Sequence, residues 1–243
     1  MPEWWTYTLS DFLLFSPRTY YRLIERYNVA LWPAQILTIG LGLLILDLLR
    51  RRAAWQGRII SIILALSWTW VAAAFLWARF ATINWAVIYL LPFLAIEVLL
   101  LVWIGVIRRR LSFAFSADVP GILGIGLFIF SLVFYPTLAP LVGRTWRQAE
   151  VFGMAPDPTV IGTLGLVLLT GRHRPRWDLL VVPVLWCLIS GATLFAMAAP
   201  ESWVPPTAAV LSLLGSSWTQ LKRRPSAEMV MPEDHQARRG QSW

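Results

Sequence analysis

A single carboxyl, Glu97, sits in the middle of the apolar run 87–107. An ionisable group inside such a run costs on the order of 3 kcal/mol and is a functional hypothesis by default. The run also holds 15 Leu, Ile, Val and Phe residues, worth at most about −4 to −9 kcal/mol together. The segment therefore inserts into a bilayer with the carboxyl turned toward protein or water. Glu97 is a candidate substrate- or proton-binding group; its rival role is structural glue, an acid hydrogen-bonded to a neighbouring helix. Asp157, between Pro156 and Pro158, is the second candidate, and its position at a helix start also suits a cap for free N–H groups. Asp47 is followed at i+3 and i+4 by Arg50 and Arg51, the spacing of a local ion pair at the end of a helix.

Other chemistries are excluded by residue type. Lys222 is the only lysine and closes the last apolar run, which excludes a Schiff base within a bundle. The two histidines, His173 and His235, fall in a loop and in the tail, which excludes a bis-His haem. Cys187 is alone, so neither an intramolecular disulfide nor a CxxC site can form. HExxH, GxSxG, P-loop and GxGxxG patterns are absent. The expectation is a protein without catalytic residues, metal or cofactor.

The elements that must position these carboxyls are written in the composition. Hydrophobic residues make up 58% of the chain and charged ones 14%, against about 25% charged in soluble domains. Read with a ruler of about 20 residues per span, the chain gives seven: 29–49, 59–78, 85–107, 119–142, 157–171, 178–199 and 203–221. The fifth is short and rich in glycine. Of the 21 basic residues, 15 lie at 50–58, 108–110, 172–176, 222–224 and 238–239, all on one side of that alternation. The positive-inside rule then puts the N-terminus out and the C-terminus in. The net charge of +8 is thus topology, spread over loops, and does not form a nucleic-acid face.

Tryptophan fits the same layout. Trp32, Trp77, Trp85 and Trp203 fall at outer span ends and Trp55, Trp103, Trp177 and Trp218 at inner ones, as in an interfacial belt. Trp68, Trp70 and Trp186 sit deeper and read as packing residues or pocket walls. Before the first span, Ser16-Pro17 reads as a helix start, and Tyr20, Leu23, Ile24 and Tyr27 follow helical spacing. Residues 1–28 are therefore expected to hold an amphipathic segment in the outer interface, an anchor or a lid. The polar tail 222–243 is expected to be disordered and cytoplasmic. Pro92, Pro136, Pro140 and Pro183 interrupt spans, which suits a polar cavity near the buried carboxyl.

Three separated motifs carry a family resemblance over most of residues 20–200. The stretch Tyr27-Asn28-Val29-Ala30-Leu31-Trp32-Pro33-Ala34-Gln35 resembles the YN-x-A-x-WPAQ signature of an uncharacterised bacterial multipass membrane family, a domain of unknown function. Tyr135-Pro136, and residues 151–159 followed by Thr163-Leu164-Gly165, resemble its FG-x-x-P-x-PT segment, and residues 182–189 its I-P-L-L-W-x-L-I helix. The chain departs from the family pattern at Asp157, where Cys is common, and at Arg144, where His is common. No Cys/His metal role carries over. The resemblance implies a polytopic membrane protein and no particular activity.

The fold expected is an all-α transmembrane bundle of seven spans in a bacterial inner membrane. Its partners would be the lipid bilayer and a small solute or ion, with no nucleic acid. A permease with Glu97 on a central polar cavity is the leading reading, its spans arranged as three, a linker and three. The rival is a scaffold or accessory subunit that binds a partner protein, with Glu97 walled in by Leu and Trp.

Overall fold

The computed structural model describes residues 14–51, 53–170 and 175–221. It is built from α-helices with short 3-10 and π-helical segments, and no strand occurs among the described residues. Arg52, Arg172, Arg174, the first thirteen residues and the tail 222–243 lie outside the described residues.

Helix α1 (Pro17–Ala30) starts where the sequence predicts, with the Ser16 side chain accepting the Thr19 N–H at 3.2 Å. It buries Tyr20, Ile24 and Tyr27, three of the four residues at the helical spacing. The predicted first span, 29–49, begins too early, because the chain breaks at a Pro33 that carries no N–H to continue the helix. Helix α2 (Ala34–Arg50) then runs at 87° to α1. At its end Asp47 pairs with Arg51 at 2.6 Å, while Arg50 stays exposed outside the pair.

Helix α3 (Gln56–Trp70) widens into a π-helical stretch, Val71–Trp77. Helix α4 (Leu91–Leu100) is entered through a 3-10 stretch, Trp85–Leu90, and left through a π stretch, Leu101–Ile107. Helix α5 (Val119–Ile129) passes through a π stretch, Phe130–Phe134, into α6 (Tyr135–Leu141). Two of these changes fall at prolines. Pro92 and Pro136 each stand in the first turn of an α-helical portion, and a residue without an N–H interrupts the regular ladder behind it. Helices α8 (Val181–Ala196) and α9 (Val204–Leu221) follow α7 (Pro156–Thr170).

Four helical segments are long and apolar enough to cross a membrane: Gln56–Thr82, Trp85–Ile107, Val119–Leu141 and Trp177–Ala196. The bent pair α1–α2 makes a fifth if counted as one. Outward-facing Leu37, Leu43, Leu66, Leu99, Val181, Leu188 and Leu214 are all exposed, more apolar surface than a water-soluble bundle presents. The eight tryptophans assigned to span ends are exposed too, as a headgroup belt requires. Of the deeper three, Trp68 and Trp186 are buried, whereas Trp70 is partly exposed.

Helix α7 occupies the centre. Every residue from Pro156 to Leu169 is buried, with α5, α8, α9 and α3 packed around it. Its closest neighbour is α5, where two glycines meet. A Cβ on Gly165 would stand 2.5 Å from the Gly124 carbonyl oxygen, and one on Gly124 would stand 2.7 Å from that of Gly165. The fourth span is therefore no detached linker between two triplets: α5 lies along α7 and α9.

Candidate functional site

The site forms at the end of the bundle where α7 begins. Fifteen residues at 1.5 Å each make α7 about 22 Å long, shorter than a hydrocarbon core of about 30 Å. The segment before it, 149–155, is buried as well. Irregular backbone at such depth has to be satisfied by protein, and here it is. Thr159 Oγ1 accepts the Gly153 N–H at 2.8 Å and donates to the Ala155 carbonyl at 2.6 Å. Asn28 Nδ2 donates to the carbonyls of Arg147 and Ala149, both at 2.8 Å. Tyr27 Oη donates to the Met154 carbonyl at 3.0 Å and accepts the Trp70 indole N–H at 2.9 Å. Gly153 takes a φ of +79° at the turn, a conformation that suits glycine.

Onto this frame α7 raises Asp157. Its carboxylate does not act as the expected cap. It accepts three side-chain bonds from other helices: Tyr135 Oη to Oδ2 at 3.0 Å, Ser190 Oγ to Oδ2 at 2.6 Å, and Trp186 Nε1 to Oδ1 at 2.8 Å. Three of the motif segments that carry the family resemblance thus converge on one carboxylate. A carboxylate offers about four acceptor positions over its two oxygens, so with two bonds on Oδ2 and one on Oδ1, one position on Oδ1 stays open.

Two further buried acids flank Asp157. Glu150 Oε1 accepts Tyr20 Oη at 3.3 Å, and its Oε2 has no partner. Burial pushes the Glu150 carboxyl up to about 8, with the charge of Asp157 adding and Arg144 opposing. Burial, and then Glu150 itself, push the Tyr20 phenol well up. Glu201 forms an ion pair with Arg144 and accepts Tyr21 Oη at 3.2 Å. The Arg144 guanidinium also lies 4.1 Å from the Tyr21 ring centroid. Helix α1 is thereby stitched to both acids through adjacent tyrosines.

A cavity of about 250 Å³ opens beside Asp157. Tyr20, Phe75, Phe80 and Trp186 supply aromatic walls, and Asn84, Ser190 and Thr193 add polar groups. The lining contains one carboxylate and no basic residue.

Glu97 lies elsewhere. It is fully buried on α4, neither carboxyl oxygen has a hydrogen-bond partner, and it does not line the cavity at Asp157. The cavity described lies beside Asp157, while Glu97 is buried mid-helix on α4. Sequence reasoning singled out Asp157 and gave Trp186 as a packing residue or pocket wall; Trp186 lines the cavity. It missed Glu150, Glu201 and Ser190, and it treated Arg144 only as a departure from the family pattern. Among the described residues, no three His, Cys, Asp or Glu side chains are grouped closely enough to hold a metal ion.

A family model described as a family of unknown function, DUF6064, matches residues 18–227. No curated protein and no solved structure matches the chain.

Proposed function

The chain belongs to the DUF6064 family of unknown function, and from that premise we propose that it is a non-enzymatic permease of a bacterial inner membrane that carries a small amine-bearing solute. The reading rests on one observation: the cavity at Asp157 combines a buried carboxylate with aromatic walls and lacks basic groups. A carboxylate with an open acceptor position suits an ammonium donor. Rings of Tyr, Phe and Trp favour a cation over their faces. A volume near 250 Å³ is below the roughly 300 Å³ at which drug-sized pockets begin, so the solute is small. The surrounding geometry supports the same reading, since a short helix entered through buried irregular backbone is the kind of broken element from which transporters build substrate sites. Glu150 lies one hydrogen bond behind the cavity wall, accepting from the Tyr20 hydroxyl that lines it.

The test is a binding measurement on purified protein in nanodiscs, reading the thermal unfolding midpoint with small amines, carboxylates and sugars. Amines are expected to raise the midpoint. Asp157→Asn and Ser190→Ala should weaken that response about 10- to 100-fold, as expected for hydrogen bonds to a charged group, while Glu97→Gln should leave it intact. Uptake of the binding amine into proteoliposomes then tests transport. A response to carboxylates or sugars alone would refute the amine class. Binding without uptake would refute the permease and favour an accessory subunit.

A further inference from the structure

Arg18, Arg22 and Arg26 recur every four residues on the exposed face of α1, opposite Tyr20, Ile24 and Tyr27. Among the described residues, none of the three has an ion-pair partner. They form a ridge between two clefts. One, of about 510 Å³, is lined by these arginines together with Arg79, Thr19 and Thr82. The other, of about 770 Å³, lies on the Glu25 and Gln148 side of the same ridge, and there Gln148 Nε2 already engages Glu25 at 3.1 Å. The first cleft therefore has four guanidinium groups with no carboxylate to answer them.

Arg79 is fixed in place. Its Nη1 donates to the Ala74 carbonyl at 2.8 Å, and its guanidinium lies 4.8 Å from the Tyr27 ring centroid. The other three are free to turn toward a ligand. The orientation of α1 supplies the second observation. It runs at 87° to α2, so if α2 crosses a bilayer, α1 lies in the plane of the headgroups. Exposed Trp77 and Trp85 mark that level on the adjoining elements.

We propose that the cleft between α1 and residues 78–83 binds the phosphate of an anionic phospholipid headgroup in the leaflet on the α1 side. Guanidinium forks match phosphate oxygens two at a time. Lysine, the point-charge alternative, is absent from the whole of this end of the chain. The proposal needs the chain to lie in a membrane but does not need it to transport anything.

The test uses the full chain in zwitterionic nanodiscs, titrated with short-chain phosphatidylglycerol and read by native mass spectrometry and the unfolding midpoint. Short-chain phosphatidylcholine and inorganic phosphate are the parallel arms. Phosphatidylglycerol is expected to bind in preference to phosphatidylcholine, and affinity should fall as salt rises. R18Q/R22Q/R26Q should weaken it on the order of 100-fold, and its midpoint without lipid should match wild type because all three side chains are exposed. Equal binding of inorganic phosphate would assign the cleft to a soluble phosphate compound and overturn the lipid. Equal binding of both lipids, or an unaltered triple variant, would overturn the site. Loss of folding in the variant would move the test to Arg22→Gln alone and to the salt dependence of wild type, and a flat salt response would again overturn it.

Discussion

Glu150 holds its proton because one oxygen meets only a tyrosine hydroxyl and the other meets nothing polar. The pH dependence of stability follows from that. The group titrates near 4.5 in an unfolded chain and near 8 in the fold. Below the lower value both states carry the proton, and folding is not penalised. Between the two the unfolded chain releases it while the fold retains it, so stability is lost as pH rises toward 8 and levels off beyond. The unfolding midpoint in nanodiscs is expected to fall from pH 5 to pH 8, and Glu150→Gln should flatten that fall. An unchanged slope in the variant would place the titrating group elsewhere. At this scale the sequence is legible only in part. Asp157 and Glu97 stand out because a charge within an apolar run is expensive wherever it occurs. Glu150 and Glu201 do not, because they lie between runs, where acids are commonplace, and only the tertiary fold removes them from water.

Helices that approach through glycine have no slack. Gly165 faces the Gly124 carbonyl and the Phe128 backbone N–H, at 2.5 Å and 2.8 Å from where a Cβ would stand. Gly165→Ala is therefore expected to cost about 1–3 kcal/mol, as overpacking does in well-packed interiors. Gly126 supplies the control. It lies on the same α5, but a Cβ there meets nothing within 4 Å, so Gly126→Ala should be neutral or stabilising by up to about 1 kcal/mol. Denaturant unfolding of both variants in one detergent decides it; equal effects would mean that the helices do not touch through this pair. Element existence was readable from apolar runs, and the start of α1 from Ser16-Pro17. The bend at Pro33 and the central position of α7 were not. A run of apolar residues reads the same whether lipid or protein surrounds it, and α7 carries enough Gly, Thr and Pro to look like a poor span.

The alternation of basic loops makes a claim about the whole molecule that one thiol experiment can check. Cys187 is fully buried, so the native chain is silent to a membrane-impermeant maleimide. Thr82 and Ser112 are both exposed and lie at opposite ends of the bundle's helices, beyond α3 and beyond α4. In intact cells Thr82→Cys is expected to label and Ser112→Cys to label only after permeabilisation. The reverse pattern would invert the orientation, and labelling of both from outside would break the alternation. The two ends are also chemically distinct. One gathers Tyr20, Tyr21, Glu150, Asp157 and Glu201. The other holds Gln56 on the Phe113 carbonyl at 2.8 Å and the Ala114 N–H on the Leu169 carbonyl at 3.2 Å. The three acids share the first end with arginines: Arg144 pairs with Glu201, and Arg18, Arg22, Arg26 and Arg79 line the neighbouring cleft.

The enclosure of α7 on every side also bears on how the chain is made. Synthesis from the N-terminus produces α7 before α8 and α9, two of the walls that hide it. Until they arrive, Asp157 lacks the Trp186 and Ser190 donors that α8 brings. A nascent chain that ends within α7 would have to leave this carboxyl in water or carry it into lipid without those bonds. For a membrane-embedded α7 this predicts that chains truncated after α7 insert less well than chains that extend through α8, as a glycosylation or protease-protection assay would show.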